Sequence, residues 1–224
     1  MNNILLGFIS VIITFSLTVL SEKIFKKEGL FVWISIATIL ANILVCKSIE
    51  MFSFTTNLGN VLFASSFLAA DIMTEKYGDE SAKKAITLSV FSQITFIIMT
   101  QFALLYTPSS VDIANESMIN LFTINLRVSI SSILMYFVSN MVNIYLYTWI
   151  KNKIPKKLWL RNNISTIVCN CLENFIFSTL AFVGIFSIGT IFEIAFVASI
   201  LEIIIAILDT PFLYLSTYKT KLEK

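Results

Sequence analysis

The stretch Phe67-Leu-Ala-Ala-Asp71-Ile-Met-Thr-Glu75-Lys-Tyr-Gly78 closes a long apolar run with two carboxylates one helical turn apart. Like charges at i and i+4 repel, so helix stability alone does not favour the pair. An acidic side chain at membrane depth is costly and by default marks a site. Composition decides whether the run lies in a membrane. Hydrophobic residues make up 57% of the 224 and charged residues 13%, with a mean hydropathy of +0.84. A soluble domain has about a quarter of its residues charged. The apolar residues also come in runs of roughly 20 or more, enough to cross a hydrocarbon core of about 30 Å. The chain therefore reads as an all-α polytopic membrane protein with a single domain over residues 1–224.

Working outward from Asp71, the expected spans are 3–24, 30–48, 56–76, 83–106, 119–150, 162–188 and 191–217. The first begins Met-Asn-Asn, with no basic segment before it and no A-x-A-like cleavage site after it, and is read as a retained helix. Fourteen of the 16 basic residues fall in the turns after spans 1, 3, 5 and 7; the opposite loops hold Lys47, and Arg127 is left inside span 5. The positive-inside rule then places the N-terminus outside and the C-terminus in the cytoplasm. Span 5 is longer than one crossing needs, and Pro211 is expected to kink span 7. Trp33, Trp149 and Trp159 lie near span ends, where interface anchors sit.

Residue usage excludes several chemistries. The chain has no His and three Cys (Cys46, Cys169, Cys171) without a CxxC spacing, so disulfide frameworks and His-metal sites have no support. No nucleophile–base motif or phosphate-binding glycine loop is present, which argues against an enzyme and against a nucleotide site of its own. No cofactor and no nucleic acid is implied.

What remains is polar residues inside apolar spans. On span 3, Asn57, Asn60, Ala64, Leu68, Asp71 and Glu75 fall within a sector of roughly 60°. Span 5 aligns Ser129, Ser132, Tyr136, Asn140, Asn143 and Tyr147 in the same way. Span 6 carries Thr166, Asn170, Glu173 and Asn174 on one side, span 7 carries Glu202 and Asp209, and span 2 contributes Asn42. Asn, Ser and Thr often only bridge transmembrane helices, each contributing roughly 0.6–2 kcal/mol. A carboxylate is harder to explain away, because burying one costs about 2.5–3.5 kcal/mol even on the lenient insertion scale. Asp71, Glu173, Glu202 and Asp209, with Glu75 at the interface, therefore point to a shared polar cavity, structural pairing or a protonated acid being the alternative. Arg127 either snorkels to the outer interface or pairs with Glu202.

The residues also carry a resemblance. Gly29-Leu-Phe-Val-Trp-Ile-Ser-Ile-Ala-Thr-Ile-Leu-Ala-Asn42-Ile and Leu58-Gly-Asn60 through Asp71-Ile-Met-Thr-Glu75-Lys-Tyr-Gly78 resemble the queuosine precursor transporter family, within the vitamin uptake transporters. Leu126-Arg127, Leu158-Trp-Leu-Arg161-Asn162-Asn163-Ile-Ser165-Thr166 and Leu208-Asp209-Thr210-Pro211-Phe212 extend it over nearly the whole chain. It departs at Glu173-Asn174, where many members show Asp-Thr or Asn-Thr, and at Glu202, where many carry Lys.

The resemblance implies a six-helix core with an extra N-terminal helix, in the plasma membrane of a bacterium. It implies uptake of 7-deazaguanine bases (7-cyano- and 7-aminomethyl-7-deazaguanine, or queuine) for tRNA modification. One carboxylate can accept the N1–H and exocyclic amine of such a base as a pair, an Asn amide suits its O6, and a ring suits its face. Expected substrate contacts are Asn42, Asn60, Asn140, Asn143, Asn170, Glu173 and Glu202, with Glu173 and Asn170 foremost. Asp71, Glu75, Asp209 and Arg127 are expected to gate or to couple protons. A secondary transporter is the first expectation; a substrate-binding subunit of an energy-coupling-factor importer, with an ATPase partner, is the alternative. The expected partners are the base and the lipid bilayer, with self-association left open.

Overall fold

The computed structural model describes residues 3–51, 54–123, 126–184 and 186–218. Its elements in chain order are α1 (Asn3–Leu44), β1 (Ser48–Met51), β2 (Phe54–Asn57), α2 (Gly59–Tyr77), α3 (Asp79–Ala103), α4 (Asn115–Thr123), α5 (Leu126–Lys153), α6 (Leu158–Phe182) and α7 (Ile188–Thr217). Among the described residues, four helices are long and apolar enough to cross a membrane: α1, α3, α5 over Ile130–Lys153, and α7.

A straight helix of 42 residues would reach about 63 Å, twice the hydrocarbon core. α1 does not run straight. Lys26 leaves helical geometry at φ 56° and ψ −133°, and the chain turns back there. The Asn3 amide donates to the carbonyl of Glu50 at 3.0 Å, so the start of the first half lies beside β1, which follows the second half. Gly29 makes the reversal possible: a Cβ there would sit 2.2 Å from the Ser21 carbonyl oxygen. The two halves correspond to the expected spans 1 and 2.

Other boundaries moved. The second half of α1 ends at Leu44, and α2 starts only at Gly59, because 48–51 and 54–57 pair as an antiparallel hairpin in the register Ser48↔Asn57 to Met51↔Phe54. Within the segment expected as one long span, 119–150, the structure describes the end of α4 and most of α5, and residues 124 and 125 lie outside the described residues. α4 packs on the end of α3, where Gln101 Nε2 donates to the Phe122 carbonyl at 2.7 Å and the Phe96 and Phe122 rings meet edge to face. α7 stays helical through Pro211. Trp33 turns inward rather than to an interface, its indole N–H donating to Ser65 Oγ at 3.2 Å, whereas Trp149 and Trp159 are exposed.

The bundle is apolar outside and mixed inside. Large apolar side chains such as Ile12 (57% exposed), Phe91 (69%) and Ile207 (55%) cover the outer faces, a coat that a water-soluble monomer does not carry. On α6, Ile164, Val168, Leu172 and Ile176 recur every four residues and are all exposed, one lipid-side stripe at helical spacing. α2 is the exception. Every residue from Ala64 to Thr74 is buried, because α2 packs against α1, α3, α5 and α7 at once. A helix enclosed by protein can carry Ser65, Ser66, Asp71 and Thr74 at depth, provided neighbours satisfy them. Gly78, at φ 87°, makes the one-residue corner from α2 into α3.

Candidate functional site

The polar residues converge on the interior between α2, α5, α6 and α7. Asp71 is fully buried on α2. Asn143 Nδ2 of α5 donates to its Oδ1 at 2.7 Å, and Thr166 Oγ1 of α6 to its Oδ2 at 3.2 Å. Asp209 of α7, also buried, accepts Asn162 Nδ2 at 2.6 Å. Glu173, buried on α6, accepts the Ser139 hydroxyl of α5. Glu202 of α7 accepts Asn174 Nδ2 at 2.8 Å. Among the described residues, none of these four carboxyls has a cation within ion-pair distance. Each is held by neutral amides or hydroxyls. Such an arrangement leaves oxygen lone pairs for a ligand, or for a proton, without an ion pair having to break.

Glu75 differs. Arg161 grips it with two nitrogens, Nη2 to Oε1 at 2.8 Å and Nε to Oε2 at 3.1 Å. Tyr147 OH donates to Oε2 at 3.1 Å, and Lys151 Nζ lies 3.3 Å from the same oxygen. The guanidinium also lies over the Tyr147 ring and reaches the Pro155 carbonyl at 3.0 Å. A two-pronged Arg–carboxylate pair is strong and geometrically exacting. It ties the last turn of α2 to α5 and α6.

The residues that follow tie the same turn to the other side of the bundle. Glu22, buried in the first half of α1, receives Lys76 Nζ at 2.6 Å, Tyr77 OH at 2.9 Å and, from α7, Ser216 Oγ at 3.2 Å. Lys76 also reaches the Ser216 carbonyl at 3.1 Å. Sequence reasoning missed this cluster and counted Lys76 and Arg161 among the basic residues of the turns. The signal was there for Glu22, since Val11, Phe15, Thr18 and Glu22 recur at spacings of four, three and four and are all buried.

The other expected site residues scatter more. Asn140 and Asn170 are buried on α5 and α6, facing the same interior; the Asn140 amide donates to the Tyr136 carbonyl at 3.0 Å. Asn42 sits apart, donating to Gln93 Oε1 of α3 at 2.9 Å and receiving Ser132 Oγ at 3.5 Å. Asn60 is half-buried in the first turn of α2. The side chains of Arg127, Asn57 and Ser129 lie outside the described residues.

A family model described as "Putative vitamin uptake transporter" matches residues 57–216. The chain belongs to the vitamin uptake transporter family. A relative from Bacillus subtilis (strain 168), named "Probable queuosine precursor transporter", is 36% identical over 205 residues, covering 91% of this chain and 90% of that one. No solved structure matches. As a vitamin uptake transporter the chain is a membrane transport protein and not an enzyme. The matched region runs from α2 to α7 and so contains Asp71, Glu75, Glu173, Glu202 and Asp209, while Glu22 lies before it.

Proposed function

We propose that this transporter imports a queuosine precursor, a 7-deazaguanine base, across the plasma membrane of a bacterium, and that it works as a secondary transporter. The name and the extent of similarity of the Bacillus subtilis relative support the substrate class. The observation that carries the reading is Glu173: a buried carboxyl held by one hydroxyl, beside the buried amides Asn140 and Asn170. A carboxylate so placed accepts the N1–H and exocyclic amine of a deazaguanine side by side, and the amides serve the rest of its edge. Glu202, Asn143 and Asn60 complete the polar lining in this reading, and Asn42 acts from the far side through Gln93.

In this account the chain spans the membrane seven times, α1 counting twice and α4 not at all, with its N-terminus outside and its basic turns in the cytoplasm. The end of α2 then lies on the cytoplasmic side. Glu75 with Arg161, and Glu22 with Lys76, act as two halves of a gate closed at that end. Asp71 and Asp209, which have only neutral partners, carry the coupling proton. Uptake of labelled 7-cyano-7-deazaguanine, with and without a protonophore, tests the scheme. Glu173→Gln should weaken binding, while Asp71→Asn should spare binding and slow uptake. Equal binding by Glu173→Gln and the parent chain would remove Glu173 from the base edge.

A further inference from the structure

α3 has entered the site so far only through Gln93 as the partner of Asn42, yet this buried side chain has a donor to spare. Gln93 is 2% exposed, and its Nε2 finds no hydrogen-bond partner among the described residues. An unpaired buried amide of this kind is costly to keep, at about 1–3 kcal/mol. Its orientation is set from behind. Asn42 Nδ2 donates to Gln93 Oε1 at 2.9 Å, and Ser132 Oγ lies 3.5 Å from Asn42 Oδ1, so α1 engages the amide oxygen and the NH2 is the end left over. One turn earlier on α3, Ser89 Oγ donates to Tyr136 OH at 3.2 Å. Tyr136 lies on the same α5 face as Ser139, the partner of Glu173. From Ser132 to Ser139 is about 10 Å along α5, so the α5 face that meets the Gln93 network continues to the carboxyl that holds the base edge.

We infer that Gln93 is a substrate contact: its Nε2 donates to the ring carbonyl of the base that Glu173 holds by its N1–H and amine, and Asn42 is the positioning residue that keeps the donor turned toward it. This rests on the deazaguanine reading. A carboxylate alone selects for donors and is blind to what lies beside them; a fixed amide donor adds a demand for an acceptor.

The test compares uptake of 7-cyano-7-deazaguanine with that of its 6-thioxo counterpart, which keeps the N1–H and amine but replaces the carbonyl oxygen with a weaker sulfur acceptor. The parent chain should prefer the oxo base about tenfold, as one hydrogen bond allows. Gln93→Leu and Gln93→Glu, neither of which offers the amide donor, should each bring that preference close to one. Asn42→Ala should reduce it partway, while Glu173→Gln should weaken both bases and leave the ratio standing. An unchanged ratio in the Gln93 variants that reach the membrane overturns the inference while leaving the substrate class intact. Uptake of neither base by the parent chain overturns both.

Discussion

Lys76→Met removes the ammonium from the Glu22 cluster and keeps most of the hydrocarbon stem. Glu22 is then a carboxylate with a 1% exposed side chain, left with the hydroxyls of Tyr77 and Ser216. Removing one partner of a buried ion pair costs about 3–5 kcal/mol, since the remaining charge stays desolvated. Lys76 itself is 13% exposed, which admits some water and points to the lower end, about 3 kcal/mol. For a chain of this length that corresponds to a fall of roughly 6–12 °C in Tm, read by thermal unfolding of the detergent-purified protein. The double variant Glu22→Gln with Lys76→Met is the control. A neutral amide still accepts from Tyr77 and Ser216, so it should recover most of the loss, with a coupling of about 2 kcal/mol between the two positions. A Lys76→Met Tm within about 2 °C of the parent, or a double variant that falls by the sum of the singles, would refute the reasoning that a buried pair locks α1, α2 and α7 together.

Two further outcomes follow from the geometry. Arg161→Lys keeps the charge opposite Glu75 but loses the two-pronged contact, the Pro155 carbonyl and the stacking on Tyr147; it should cost about 2 kcal/mol in the same unfolding assay, and an unchanged Tm would make the pair an ordinary surface contact. Gly29→Ala places a methyl where the Ser21 backbone carbonyl already lies, so it should destabilise by about 3 kcal/mol, whereas a parent-like Tm would contradict the reversal of α1 at Lys26.

Hydropathy and the lysine-rich turns made the helical segments legible, because a lipid-facing helix must be apolar over its whole outer surface. Local departures were not legible. The hairpin 48–57 forms from residues that read equally as helix ends. At the site, helical spacing correctly grouped Asp71, Asn143, Thr166, Glu173 and Asp209 in the interior. It failed for Arg161 and Lys76, which charge counting placed in the turns; their carboxylate partners, Glu75 and the buried Glu22, come from other helices, at sequence separations of 86 and 54. A pairing between distant helices leaves no trace in local periodicity. Gln93 was passed over for a related reason: its half-buried neighbour Asn42 lies 51 residues away, and a glutamine in an apolar span looks like any interhelical bridge.

The central claim is met most directly in a bacterium that can neither make nor take up queuosine precursors. With this chain expressed in its membrane and nanomolar-scale 7-cyano-7-deazaguanine supplied, the account predicts that queuosine reappears in tRNA, and that Glu173→Gln reduces it. Queuosine-free tRNA with every precursor supplied, while the protein is present in the membrane, would contradict it.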